Sequence, residues 1–183
     1  HVLVLDKPAF LPTTSPDEGD CLVRRAHALD PRAERLHPTS RLDAEVTGVV
    51  TFARTTHAIE AIAHARATGH YRRRYIALAS GVMDVGASLV WDGPIDIDPR
   101  DARRRVIADG PHAKASLTLA EPSCLLGTST LLVLWPRTGR THQLRLHASA
   151  AGHALLGDAH YGGPRRIARG DGRMVAFPRV MLH

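Results

Sequence analysis

Strand-like runs constrain this chain more than any other feature. Residues 1–5, 48–54, 71–79, 103–108, 114–120 and 129–135 are apolar or alternating stretches bounded by Gly, Pro or Asp, a pattern that reads as β-strand. Helical spacing is rarer. Leu22, Val23, Ala26 and Leu29 follow Asp20 as a cap, and Ala58, Ile59, Ile62 and Ala65 follow Thr55 or Thr56 and stop at Gly69. A third helix is predicted over about 141–151, between Gly139 and Gly152. Many strands with few helices predict an α+β fold: a mixed, mostly antiparallel central sheet with a few flanking helices and loops. Segments 10–19, 91–101 and 162–174 read as loops, the last rich in Gly and Arg. Neither an internal repeat nor a low-complexity linker interrupts the chain, so 1–183 is expected to be a single domain.

Composition narrows the function classes. At 183 residues and 44% apolar the chain can bury a core, and its net charge of +6 with a pI near 10.1 suits a polyanionic partner. The charge has a second source in genomic bias, since Lys7 and Lys114 are the only lysines and every other basic side chain among the 24 is arginine. Cys21 and Cys124 stand far apart without a C-x-x-C pair, so neither a disulfide framework nor a zinc site is expected and a reducing cytoplasm is the default. The sequence lacks both an apolar run of about 18 residues and a signal peptide. It opens on His1-Val2-Leu3-Val4-Leu5 and closes on Val180-Met181-Leu182-His183, so both ends look cut and a longer natural protein is expected.

Three segments carry candidate chemistry. Arg41-Leu42-Asp43 sits on a loop that feeds the apolar run Val49-Val50-Thr51-Phe52-Ala53, and loops held by a rigid strand are where catalytic groups collect. A lone R-x-D is more often an ordinary loop ion pair, so the context has to decide. In the run 71–79, alternation puts Arg72, Arg74, Ile76 and Leu78 on one face, with Tyr71, Arg73, Tyr75, Ala77 and Ala79 on the other. With Ile76 and Leu78 read as the core side, Tyr75 is expected to face a groove, where a phenol can stack on a base or exchange a proton. Segment 136–147, Pro-Arg-Thr-Gly-Arg-Thr-His-Gln-Leu-Arg-Leu-His, leads into the third helix. Its free amides can bind a phosphate. Arg145 is expected beside the apolar stripe Leu144, Ala148 and Ala151, within reach of a carboxylate. His142, His147 and His153 are spaced five and six apart, not at the i, i+4 spacing of a helical metal pair, so no metal is expected. Nor does the sequence contain the G-x-S-x-G or H-E-x-x-H of a hydrolase.

Taken in order, these segments resemble the RluA-type pseudouridine synthases along nearly the whole chain. Val4-Leu5-Asp6-Lys7-Pro8-Ala9 is similar to that family's opening V-x-D/E/N-K-P-x-G, and Arg41 to Gly48 to R-L-D-x-x-(T/S)-x-G. Arg74-Tyr75-Ile76-Ala77-Leu78 is similar to K-x-Y-x-A-(L/V), and Thr138 to His147 to T-G-R-x-H-Q-(I/L)-R-x-H. Gly152 to Gly163 is similar to G-H-P-I-x-G-D-x-x-Y-G. The chain departs from the pattern at Ser40, where many members have His, at Val46, where Thr or Ser is common, at Phe10, where Gly is common, and at Ala154, where Pro is common. Arg74 also lies one place nearer the tyrosine than the usual Lys.

The resemblance implies the pseudouridine synthase catalytic fold, with a cleft across the sheet and without the S4-like domain of some members. It implies isomerisation of uridine to pseudouridine in ribosomal or transfer RNA, with Asp43, Tyr75 and Arg145 as catalytic residues. Asp43 would begin the reaction as nucleophile or as base, Tyr75 would pack on the uracil and help remove the C5 proton, and Arg145, or Arg140 as runner-up, would be the carboxylate's cationic partner. Arg41 would hold the flipped nucleotide. Arg72, Arg73, Arg74, Arg140, Thr141, His142 and Gln143 would contact the RNA. Because no atoms are added, neither cofactor nor metal is implied. A cytoplasmic monomer is expected, and the alternative is a non-catalytic RNA-binding module on the same scaffold.

Overall fold

A computed structural model describes residues 1–33 and 35–183. The first part of the chain forms β1 (Val2–Lys7), α1 (Leu22–Leu29), β2 (His37–Pro38), β3 (Gly48–Ala53) and α2 (Thr56–Ala67). β3 is the middle strand of an antiparallel sheet in the order β1-β3-β2. Alternation works here as the sequence suggests. Val50 and Phe52 are fully buried, while Val49, just before them on the opposite face, is 60% exposed. The inner residues pack in a unit whose core also takes Leu11, Leu22, Ala26, Leu36 and Val46. Thr55 caps α2 as expected, its hydroxyl accepting the Ala58 amide at 3.2 Å.

Asp20 does not cap α1. Cys21 stands at the cap without a side-chain bond, and the Leu22 and Val23 amides donate to the carbonyls of Pro12 and Thr13 at 2.9 and 3.1 Å. The helix start is satisfied by the neighbouring loop instead, and Asp20 pairs with Arg25 at the surface.

The second part holds β4 (Tyr75–Ser80), β5 (Leu89–Trp91), β6 (Ile95–Asp98), β7 (Asp101–Ile107), β8 (Thr118–Leu126), β9 (Ser129–Pro136), α3 (Gln143–Ala150), β10 (Arg166–Ala168) and β11 (Met174–Ala176). Its main sheet has the order β4-β9-β8-β5, and β6-β7 and β10-β11 are hairpins. All of these ladders are antiparallel. The α+β class therefore stands, with the strands distributed over several ladders.

Two expected loops contain strands. Within 91–101 the alternating Ile95-Asp96-Ile97-Asp98 pairs with β7, and within 162–174 lie β10 and the first residue of β11. Both were hidden by turn-forming residues at their edges. The run at 71–79 is shorter than expected, because only Tyr75 onward joins β4.

The two faces of β4 are also reversed. Ala77 and Ala79 are buried and Ile76 is 42% exposed, so Tyr75 shares the packed face. The far edge of β4 is covered by main-chain bonds from 154–156 and 181–183, with Ala79 opposite Leu155 and Ala77 opposite Leu182. Both faces carry apolar side chains, and side-chain size alone points to the wrong one.

The chain divides into two units, His1–Arg72 and Arg73–His183; Arg41 and Asp43 belong to the first, Tyr75 and Arg145 to the second.

Candidate active site

In the first unit the segment around Asp43 is clamped at three points. Leu42 anchors it, its side chain buried and its main chain gripped by Thr13. The Thr13 hydroxyl donates to the Leu42 carbonyl at 2.9 Å and accepts the Leu42 amide at 3.0 Å. Thr13 is itself 2% exposed, so both bonds are sheltered from water. On the other side, the Val46 amide donates to the Asp43 carbonyl at 3.1 Å, closing a turn, and the Val46 side chain is buried. A hydroxyl side chain is common in the family at that position, and here it is an apolar anchor.

The third clamp is Lys7, at the end of β1 and fully buried. Its ammonium donates to the carbonyls of Pro8 (2.9 Å), Leu11 (2.6 Å) and Ala44 (3.1 Å). One cation thus fastens the loop after β1 to the residue following Asp43. Between these clamps Asp43 is half-buried and Arg41 exposed. Behind the segment, Arg66 of α2 donates to the Thr39 carbonyl and stacks over the Tyr71 ring at 4.7 Å. Burial pushes the Tyr71 phenol up, but its bonds with Thr39, Thr51 and Arg66 outweigh burial and bring it below the usual range.

In the second unit Arg145 is 4% exposed, not at the edge of a stripe, because α3 is buried from Gln143 through Ala148. Asp158, fully buried, binds it with both oxygens, Oδ2 to Nε at 2.7 Å and Oδ1 to Nη2 at 2.8 Å. The Tyr161 ring lies 5.2 Å from the same guanidinium. The glycines around Asp158 are sterically required. A Cβ on Gly157, which has φ +80°, would lie 1.8 Å from the Arg179 carbonyl, and one on Gly163 would lie 1.8 Å from the Leu155 carbonyl. The segment Gly157 to Gly163, which carries no chemistry on its sequence alone, supplies the counter-ion of Arg145. The only sequence signal for it was the family motif that contains Asp158.

Gln143 is buried and its amide bonds inward. Oε1 accepts from the Thr138 hydroxyl (2.8 Å) and the Arg140 amide (3.0 Å), and Nε2 donates to the Leu117 carbonyl (3.0 Å) and Thr118 Oγ1 (2.9 Å). These four internal bonds use the amide's capacity and shape the 138–142 loop. His142 stands at the cap of α3 in a left-handed backbone state, φ 57°, uncommon outside glycine though histidine enters it more readily than most side chains. The Tyr161 hydroxyl accepts the Arg105 amide at 3.0 Å and lies 2.7 Å from His142 Nδ1. Burial, opposed by the Arg105 bond and the Arg145 charge, pushes the Tyr161 phenol up.

The remaining predicted residues spread over the surface of each unit. Arg72 and Arg74 are exposed, Tyr75 is half-buried at the start of β4, and Arg140 and Thr141 are exposed. Arg73 braces the Thr138–Gln143 loop by donating to the Thr138 carbonyl at 2.7 Å, and Arg140 Nε donates to the Ala115 carbonyl at 3.0 Å. No helix among the described residues is long and apolar enough to cross a membrane.

The match to known proteins is extensive. Residues 1–150 match the model of the RNA pseudouridylate synthase family. Ribosomal large subunit pseudouridine synthase D of Xanthomonas campestris pv. campestris is 33% identical over 100% of this chain and 57% of its own length, so the chain spans little more than half of that relative. Dual-specificity RNA pseudouridine synthase RluA of Escherichia coli is 31% identical over 100% of this chain and 80% of its own. The structure of human RNA pseudouridylate synthase domain containing 1 superposes with a TM-score of 0.75 over 100% of this chain and 72% of that one, at 24% identity, which shows a shared fold. Asp43, Tyr75 and Arg145 all fall within the matched span, and the chain belongs to the RNA pseudouridylate synthase family.

Proposed function

We propose that this protein isomerises uridine to pseudouridine in RNA, with large-subunit ribosomal RNA as the first substrate to test and transfer RNA as the second. One observation carries the reading. The family match includes Asp43, and Asp43 sits half-buried on a segment pinned by Thr13, Val46 and Lys7. Such pinning holds a reacting carboxylate in place, and positioning of this kind accounts for much of enzymatic rate enhancement.

The reaction breaks the bond from uracil N1 to C1′, turns the base, and joins C5 to C1′. The C5 proton is lost, and N1 ends protonated. Asp43 starts this as nucleophile or base. Tyr75 packs on the uracil and assists removal of the C5 proton. Arg145 takes the cationic partner role, its own burial offset by Asp158. Arg41, exposed beside Asp43, holds the displaced nucleotide. Arg72, Arg74, Arg140 and Thr141 are solvent-facing and suit phosphate contacts, with Arg73, His142 and Gln143 shaping the loop that presents Arg140 and Thr141. This substrate puts the work in the cytoplasm, and the reading takes the protein as a monomer.

The test is to map pseudouridines in ribosomal and transfer RNA from a strain lacking the gene. Loss of one or more sites, restored by the wild-type gene, is expected. An unchanged map together with retained RNA binding would support a binding module instead.

A further inference from the structure

Phe10 is the aromatic side chain that the core does not explain. Of the three phenylalanines, Phe52 and Phe177 are buried and Phe10 is 64% exposed. Its backbone is left-handed, φ 63°, a state that bulky side chains avoid and glycine adopts freely. Glycine is the residue common at this position in the family pattern. Phenylalanine here therefore adds backbone strain without adding to the core, and strain of this kind tends to persist at functional sites. The loop's shape does not come from the ring. The carbonyls of Pro8 and Leu11, on either side of Phe10, both accept from the Lys7 ammonium, which also holds the Ala44 carbonyl next to Asp43. Lys7 thus fixes the loop that displays the ring to the segment that carries the carboxylate, all within the first unit.

We propose that Phe10 is a base-stacking residue, whose ring packs on a nucleobase of the RNA next to the uridine served by Asp43. An exposed flat π-face suits any base, and the chain's charge of +6 supplies the general attraction to RNA that stacking would localise. The inference rests on the RNA-modifying reading above.

The test measures dissociation constants of the full-length protein for a labelled RNA stem-loop with uridines in its loop, beside melting temperatures. Phe10→Gly is expected to weaken binding by about 5- to 100-fold while its melting temperature holds or rises, because glycine relieves the left-handed strain. Phe10→Leu, apolar but not flat, is expected to weaken binding too, and Phe10→Tyr to keep it. On a substrate RNA the loss should appear in KM more than in kcat. Wild-type affinity in Phe10→Gly or Phe10→Leu would overturn the proposal, as would failure of the wild type to bind the stem-loop. Weaker binding by both variants from a wild type that forms no pseudouridine would uphold stacking and sink the catalytic reading instead.

Discussion

Asp158 grips the Nε and Nη2 edge of Arg145 with both carboxylate oxygens, at 2.7 and 2.8 Å, with neither side chain more than 5% exposed. A fork-to-fork pair of this kind fixes the plane of the guanidinium as well as its position. The glycines at 157 and 163 make room for the corner that presents the carboxylate. Asp158→Asn keeps the shape and removes the charge opposite a buried cation, so a loss of stability of about 3–5 kcal/mol is expected. Urea unfolding checks it, and a variant as stable as the wild type would contradict the pairing as described. Isomerase activity per folded molecule should fall as well, because the guanidinium loses its fixed orientation.

Thr13 can be tested without touching a charged group. Thr13→Val keeps the volume and deletes the hydroxyl that serves both the amide and the carbonyl of Leu42. A cost of about 1–3 kcal/mol is expected from the unsatisfied buried groups. The turnover number should fall further than RNA affinity, since displacing a reacting group by about 1 Å can cost about 100-fold in rate. Parallel measurement of kcat and of the dissociation constant separates the two, and an unchanged kcat would show that Thr13 does not position Asp43.

His147 gives the fold a pH dependence. It is 2% exposed, with Nδ1 3.0 Å from Thr118 Oγ1 and Nε2 2.9 Å from Ser116 Oγ and 3.1 Å from the Gly93 carbonyl. Burial pushes its pKa below the ordinary 6.5, against the opposing pull of the Gly93 bond and Asp92. A depressed pKa means that the unfolded chain binds the proton more readily. The stability it contributes is therefore present above pH 6.5 and is lost as pH falls through the folded value. The expected slope in that window is at most about 1.4 kcal/mol per pH unit for one proton. Chemical denaturation between pH 7.5 and about 5, wild type against His147→Gln, should show a steeper decline for the wild type. Parallel curves would rule His147 out as the source.

Much of this architecture is legible in the sequence because its signals are local. β3 alternates cleanly, and α2 has its threonine cap. What alternation cannot supply is which side of a strand is covered. In β4 both faces are apolar, and the packing of the folded chain covers the one that carries Ala77 and Ala79. Arg145 illustrates the same limit. An arginine in a helix reads as an edge residue until a carboxylate 13 positions later in the chain is brought to it. The Arg41-Leu42-Asp43 signature was plain, but its clamps, Thr13 and Lys7, lie 29 and 37 residues from the atoms they hold. No periodicity connects residues so far apart.

The central claim is that Asp43 performs the chemistry. Tritium release from RNA labelled at uridine C5, wild type against Asp43→Asn, tests it most directly. The wild type is expected to release tritium with turnover. The variant, folded with a similar melting temperature and binding RNA with similar affinity, should lose at least about 10²- to 10⁴-fold in rate. Equal release by the two proteins would contradict the account.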